Sequence, residues 1–203
     1  MMGPIYFITD PEASMPVLDQ ALAAARGGAR VVQLRDKTAS DTAMTRMARA
    51  LKRALAPFGV LLIINDRVDV ARAAQADGLH VGQGDGDIAA VRATLGAGRL
   101  LGLSIEHAGQ LGTVPPGVDY LGVGPVRATA TKPDHAPPIG FDGLARIVRQ
   151  TELPCVAIGG LGRGDMAAVR ASGAVGAALV SAISRATAPE AATADLMREW
   201  RQS

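Results

Sequence analysis

Short runs of β-branched and aliphatic residues alternate along this chain with longer stretches in which apolar residues return every three or four positions. A period of two marks a strand and a period near 3.6 marks a helix, so the repeated switch predicts βα units around a parallel sheet. Eight strands are expected, over residues 5–9, 31–34, 61–65, 78–81, 100–104, 120–124, 155–159 and 177–180. The clearest helix follows the second strand, where Met44, Met47, Leu51, Leu55 and Phe58 form one apolar stripe. Methionines at that spacing read as core filler, and Leu196 with Trp200, four apart in the last helix, read the same way.

Spread over 203 residues, eight units take about 25 residues each, near the small end for an α/β fold of the (β/α)8 TIM barrel type. The expected organisation is one TIM-barrel domain over residues 1–203. Alternating units would also suit an open, doubly wound sheet. The stretch Gly159 to Gly164, GGLGRG, argues against nicotinamide binding on such a sheet. It lacks the G-x-G-x-x-G order, and Val180 rather than an acid stands about 20 residues on.

Composition narrows the function. A hydrophobic content of 48% and a mean hydropathy of +0.19 support one substantial core. Net charge is only +2, too balanced for a nucleic-acid or polybasic membrane surface. Cys155 is the only cysteine, which excludes an internal disulfide framework and any cysteine-rich metal cluster. With no signal-like start and no apolar run of membrane length, a cytoplasmic protein is expected. Oligomeric state stays open, a homo-oligomer included.

Chemistry gathers where the strands end, the rim at which such barrels carry their reactive groups. Gln33, Arg35 and Lys37 alternate at the end of the second strand, so two cations and an amide point to one side and suit a multiply charged anion. Asp66 and Asp85 close the third and fourth strands, about 4.8 Å apart in a parallel sheet, and could share one Mg²⁺ with substrate oxygens. Each is also a candidate helix N-cap, Asp66 above all, because it precedes an apolar helical run. Gly159, Gly160, Val180 and Ser181 offer backbone N–H groups for a second anion, although glycine also serves simple tight turns.

The sixth βα loop, Pro125 to Gly140, is long, polar and proline-rich, the marks of a loop that covers substrate. Its Thr129, Thr131 and Lys132 can close over an anion. Asn65 and Ser104 at strand ends are candidate hydrogen-bond donors. His80, His107 and His135 follow no metal-ligand spacing and read as structural or solvated.

In order along residues 6 to 183, YFITD, VQLRDK, LIINDRVDVA, DGLHVGQGD, LGLS, DYLGVGP, TATK, PCVAIGG and LVSAI resemble the thiamine phosphate synthase family. The resemblance implies a Mg²⁺-dependent transferase acting on two phosphorylated small molecules, an aminopyrimidine-methyl diphosphate and a thiazole phosphate. They would be joined to thiamine monophosphate with release of diphosphate. It places Gln33, Leu34, Arg35, Asp36 and Lys37, with Asn65, Ser104 and Lys132, at the pyrimidine diphosphate. Arg35, Lys37, Ser104 and Lys132 become the catalytic groups, and Asp66 and Asp85 the metal ligands. Thr129, Ala130, Thr131, Gly160, Val180 and Ser181 fall at the thiazole phosphate.

Such chemistry moves little proton, so neither a triad nor a perturbed general base is expected. Arg127 and Ala128 depart from the aromatic residue and proline that the family usually has before the loop threonine. Two other readings share the scaffold. A thiazole tautomerase would rely on a histidine after the fifth strand, here His107 and one place late, while a non-catalytic phosphate-ligand sensor would not need the two aspartates.

Overall fold

A computed structural model describes residues 2–129, 131 and 136–202. Eight strands, β1 (Ile5–Ile8), β2 (Val31–Leu34), β3 (Leu61–Asn65), β4 (Gly78–Val81), β5 (Leu100–Ile105), β6 (Tyr120–Val123), β7 (Cys155–Ile158) and β8 (Gly176–Leu179), form a closed barrel in chain order. All eight neighbouring pairs are parallel, including β8 with β1, so the open-sheet alternative falls. Outside them lie α1 (Val17–Arg26), α2 (Asp41–Leu55), α3 (Val68–Ala73), α4 (Ile88–Leu95), α5 (Gly140–Val148), α6 (Met166–Ala171), α7 (Ser181–Ser184) and α8 (Pro189–Gln202). After β5 only a 3-10 turn, Ala108–Thr113, fills the helical position.

Alternation along each strand divides the interior into two layers. Phe7, Val32, Leu34, Leu62, Ile64, Leu79, Leu101, Leu121 and Leu179 face the helices and build the main core with Met44, Leu51, Leu55 and Leu196. Tyr6, Ile8, Val31, Ile63, Tyr120, Val156 and Ala178 turn inward and fill the barrel. The apolar stripe of α2 holds except at its end. Phe58 is 37% exposed, because the chain tightens into a 3-10 turn at Ala56–Phe58 containing Pro57 and is stopped by left-handed Gly59.

At the N-terminal rim, acids engage the backbone. Asp77 accepts a hydrogen bond from Leu62 N–H at 2.8 Å, and Asp119 accepts one from Leu101 N–H at 2.7 Å. Lys52 and Arg92 pair with these carboxylates. This end is built for stability and leaves the opposite rim for chemistry.

Candidate active site

The C-terminal rim opens into a cavity of about 390 Å³ reached by all eight strands or the loops that leave them. From β2, Gln33, Arg35 and Lys37 all line it, as their two-residue spacing requires. Leu34 and Asp36 are not brought in, for the same geometric reason. Leu34 is 1% exposed in the sheet-to-helix core, and Asp36 turns outward, its carboxylate accepting from Thr38 N–H at 2.9 Å and Ala39 N–H at 3.0 Å. The main chain of Arg35 is fixed by a 3.0 Å bond from its N–H to Thr9 Oγ1. Arg67 braces the rest of this loop, donating to the carbonyls of Ala39 and Asp36 at 2.5 and 3.1 Å and to Asp41 at 2.9 Å. Lys37 is thereby held over the opening.

Asp66 and Asp85 both line the cavity, and neither is a helix cap. The residue at the N-cap of α3 is Arg67, and α4 is capped by Asp87, which accepts from Ala89 N–H at 2.9 Å. Asp66 adopts a left-handed φ of +61°, a costly conformation for a non-glycine residue and one that concentrates at functional sites. Lys37 and Asn65 donate to its carboxylate. Asp85 accepts from Gly82 N–H at 2.6 Å.

The two carboxyls are close enough to share a hydrogen bond, and burial opposes the charge of each. At Asp66 burial prevails, with Asp85 adding to it and Lys37 opposing, so this carboxyl lies above the usual range. At Asp85 burial is outweighed by the Gly82 N–H, Asp66, Lys37 and His80, and the carboxyl lies below it. A pair of hard oxygen donors whose mutual repulsion calls for a cation fits Mg²⁺, which commonly takes one or two carboxylates plus phosphate oxygens. No cluster of three or more His, Cys, Asp or Glu that could hold a metal exists among the described residues.

Facing this charged wall is one made of main chain. Gly159 and Gly160 turn at φ +99° and +61°, and Val180 and Ser181 begin α7, whose first N–H groups have no partner within the helix. Gly160, Val180, Ser181, Thr129 and Thr131 all line the cavity. Glycine is required at position 160, where a Cβ would lie 2.4 Å from the Ala128 carbonyl oxygen. Ala130, Lys132 and His135 lie outside the described residues. Arg127 does not line the cavity, and its half-exposed side chain is paired rather than free. Its guanidinium bonds Asp165 at 2.7 Å and sits 5.3 Å from the centre of the Phe141 ring, tying the sixth loop to the loop after β7.

Several lining residues escaped the sequence reading: Tyr6, Thr9, His80, Glu106 and Tyr120. The usable signal was strand phase, since Leu79 and Val81 face the helices and His80 between them must face inward. Burial pushes the His80 imidazole down to about 4, against the opposing charge of Asp85. His107 begins the 3-10 turn after β5 and is not among the residues lining the cavity, which removes the feature that favoured a tautomerase.

Comparison with known proteins agrees with this geometry. Residues 5–183 match the family described as thiamine monophosphate synthase. A thiamine-phosphate synthase of Xanthobacter autotrophicus is 50% identical over 191 residues, 93% of this chain and 90% of that protein. One of Laribacter hongkongensis is 46% identical, over 95% of this chain and 92% of its own. Among solved structures, thiamine phosphate pyrophosphorylase from Pyrococcus furiosus superposes with a TM-score of 0.90 at 31% identity, covering 98% of this chain and 96% of the other. The barrel, the two-walled cavity and these matches together show that the chain belongs to the thiamine monophosphate synthase family.

Proposed function

We propose that this protein is a thiamine-phosphate synthase, a transferase. It joins 4-amino-2-methyl-5-pyrimidinylmethyl diphosphate to a hydroxyethylthiazole phosphate and releases diphosphate and thiamine monophosphate. The observation that carries this reading is one cavity with a wall of charged side chains, Arg35, Lys37, Asp66 and Asp85, facing a wall of backbone donors at Gly160, Val180 and Ser181. A diphosphate suits the first wall and a monoester the second.

The reaction breaks the bond between the pyrimidine methylene and the diphosphate oxygen, with both electrons leaving on diphosphate. The resulting carbon cation is captured by the thiazole nitrogen lone pair, and no proton needs to move. Arg35 makes no ion pair with a described residue, so its charge is available to the departing oxygens, beside that of Lys37. Asp66 and Asp85 would hold Mg²⁺, which when bound supplies further positive charge to the diphosphate. Gln33, Asn65 and Ser104 orient the pyrimidine, while Thr129, Thr131 and the backbone wall hold the thiazole phosphate in line for attack. The family resemblance adds Lys132 to the groups that bind the diphosphate.

A cytoplasmic site of action fits a biosynthetic transferase, and no described helix is long and apolar enough to cross a membrane. Incubation with both substrates and Mg²⁺ should yield diphosphate and thiamine monophosphate by mass spectrometry. Recovery of unchanged substrates under those conditions would refute the assignment.

A further inference from the structure

Beneath the charged rim, five inward-facing side chains from five strands form an unbroken hydrogen-bonded chain. Gln33 Nε2 donates to Tyr6 Oη at 2.7 Å; Tyr6 Oη and Tyr120 Oη are 3.0 Å apart. Tyr120 Oη lies 3.1 Å from His80 Nδ1, and His80 Nε2 lies 3.0 Å from Ser104 Oγ. The barrel is shaped around this chain. A Cβ on Gly102 would lie 2.2 Å from Tyr120 Cζ and 2.4 Å from His80 Nδ1, and one on Gly122 would lie 2.9 Å from His80 Cε1. Two strands therefore give up side chains to seat a phenol and an imidazole.

Donors and acceptors along the chain can be counted, because each hydroxyl carries one proton and a neutral imidazole carries one N–H. Tyr6 Oη accepts a hydrogen bond from Gln33, which leaves its own O–H to donate to Tyr120, its remaining side-chain partner among the described residues. Tyr120 then donates to His80 Nδ1, which must be the bare nitrogen. His80 Nε2–H in turn donates to Ser104 Oγ, and the Ser104 proton is left for the cavity. At pH 8, well above the ordinary imidazole range, the ring carries a single proton.

We infer that Tyr6, Tyr120 and His80 are positioning residues that transmit hydrogen-bond polarity across the barrel, fixing an acceptor at Gln33 Oε1 and a donor at Ser104 Oγ as a matched pair. That pair selects a heteroaromatic ring offering an amino donor at one edge and a ring-nitrogen acceptor at another. The inference rests on the proposed function for the identity of that ring, the aminopyrimidine, but the polarity itself is independent of turnover. Inverting one end of the chain must invert the other, four side chains away.

Nitrogen-15 NMR of the histidine side chains in the Mg²⁺-loaded protein at pH 8 reads this directly, with the His80 signals assigned by their loss in His80→Gln. Wild type should show the Nε2–H tautomer. Gln33→Glu, whose carboxylate can only accept, should reverse it to Nδ1–H; Tyr120→Phe and Tyr6→Phe should each give a mixture. With both substrates, Tyr120→Phe should raise the KM for the pyrimidine diphosphate about tenfold, as for one lost buried hydrogen bond, and leave the KM for the thiazole phosphate within about twofold.

An Nδ1–H tautomer in wild type, or an unchanged tautomer in Gln33→Glu, overturns the polarity. Equal changes in both KM values reduce the hydroxyls to structural supports and overturn the positioning role. A wild-type protein that turns over neither substrate but shows the expected reversal would refute the proposed function and leave the relay standing.

Discussion

Gln33 and Arg35 leave the same face of β2 two residues apart, one into a buried chain of neutral hydrogen-bonded groups and the other into a half-open rim of charges. On β4 and the loop after it the same contrast separates His80 from Asp85, five residues on. Floor groups are bonded to one another in a continuous chain, so they define shape and polarity. Rim groups bring charge to the opening, Lys37 against Asp66 and Arg35 in no ion pair with a described residue. Loss of a rim residue should therefore cost turnover with the fold intact, whereas the floor should report in stability and selectivity.

Asp85→Ala tests the contrast most severely. Removing charge from the rim should lower Mg²⁺-dependent kcat by roughly 10²–10³-fold, the scale of a lost electrostatic group, with the urea midpoint almost unchanged. Steady-state kinetics beside an unfolding curve would show it, and a variant as active as wild type would remove the metal role.

The floor should be visible in pH. His80 titrates near 6.5 when unfolded and is pushed down to about 4 in the folded barrel, so between those values the unfolded chain binds a proton that the native one does not. Stability is thus full above pH 6.5 and declines as pH falls towards 4, by roughly 3 kcal/mol from this group. Urea unfolding at several pH values should show that slope flattened in His80→Gln.

Gly160→Ala probes the backbone wall. Its Cβ would press on the Ala128 carbonyl at a left-handed φ, so the KM for the thiazole phosphate should rise by about tenfold, the equivalent of one hydrogen bond, while the pyrimidine diphosphate is spared. Equal effects on both substrates would dissolve the distinction between the two walls.

Arg127→Ala should do least. The Arg127 side chain is 55% exposed where it meets Asp165, and such pairs contribute about 0.2–1 kcal/mol. A small fall in unfolding midpoint and a change of less than about threefold in thiazole phosphate KM are expected. A larger kinetic effect would make this link between two loops part of the site.

Sequence carried most of the fold, because eight short apolar runs alternate with helix-period stretches and all eight form strands, while closure into a barrel rather than an open sheet was decided only by the pairing of β8 with β1. Strand limits moved by only a residue, with Thr9, Gly124, Gly159 and Val180 falling outside and Ile105 and Gly176 joining. The charged rim was legible because Arg35, Lys37, Asp66 and Asp85 stand out against apolar strands. Leu34 and Asp36 show the limit of carrying over a contiguous segment, since alternate residues of a strand face opposite sides. The floor was not legible. Tyr6, His80 and Tyr120 are individually ordinary core residues, and only the closure of the barrel brings strands β1, β4 and β6 to one point.

The acids of the N-terminal rim carry a lesson for anyone building chimeras of this barrel. Asp77, just before β4, caps an amide of β3, and Asp119, just before β6, caps an amide of β5. Units three and four, and five and six, are thereby stitched into cassettes. A crossover placed inside either cassette parts a carboxylate from the amide it caps, whereas one placed between the cassettes leaves both stitches whole.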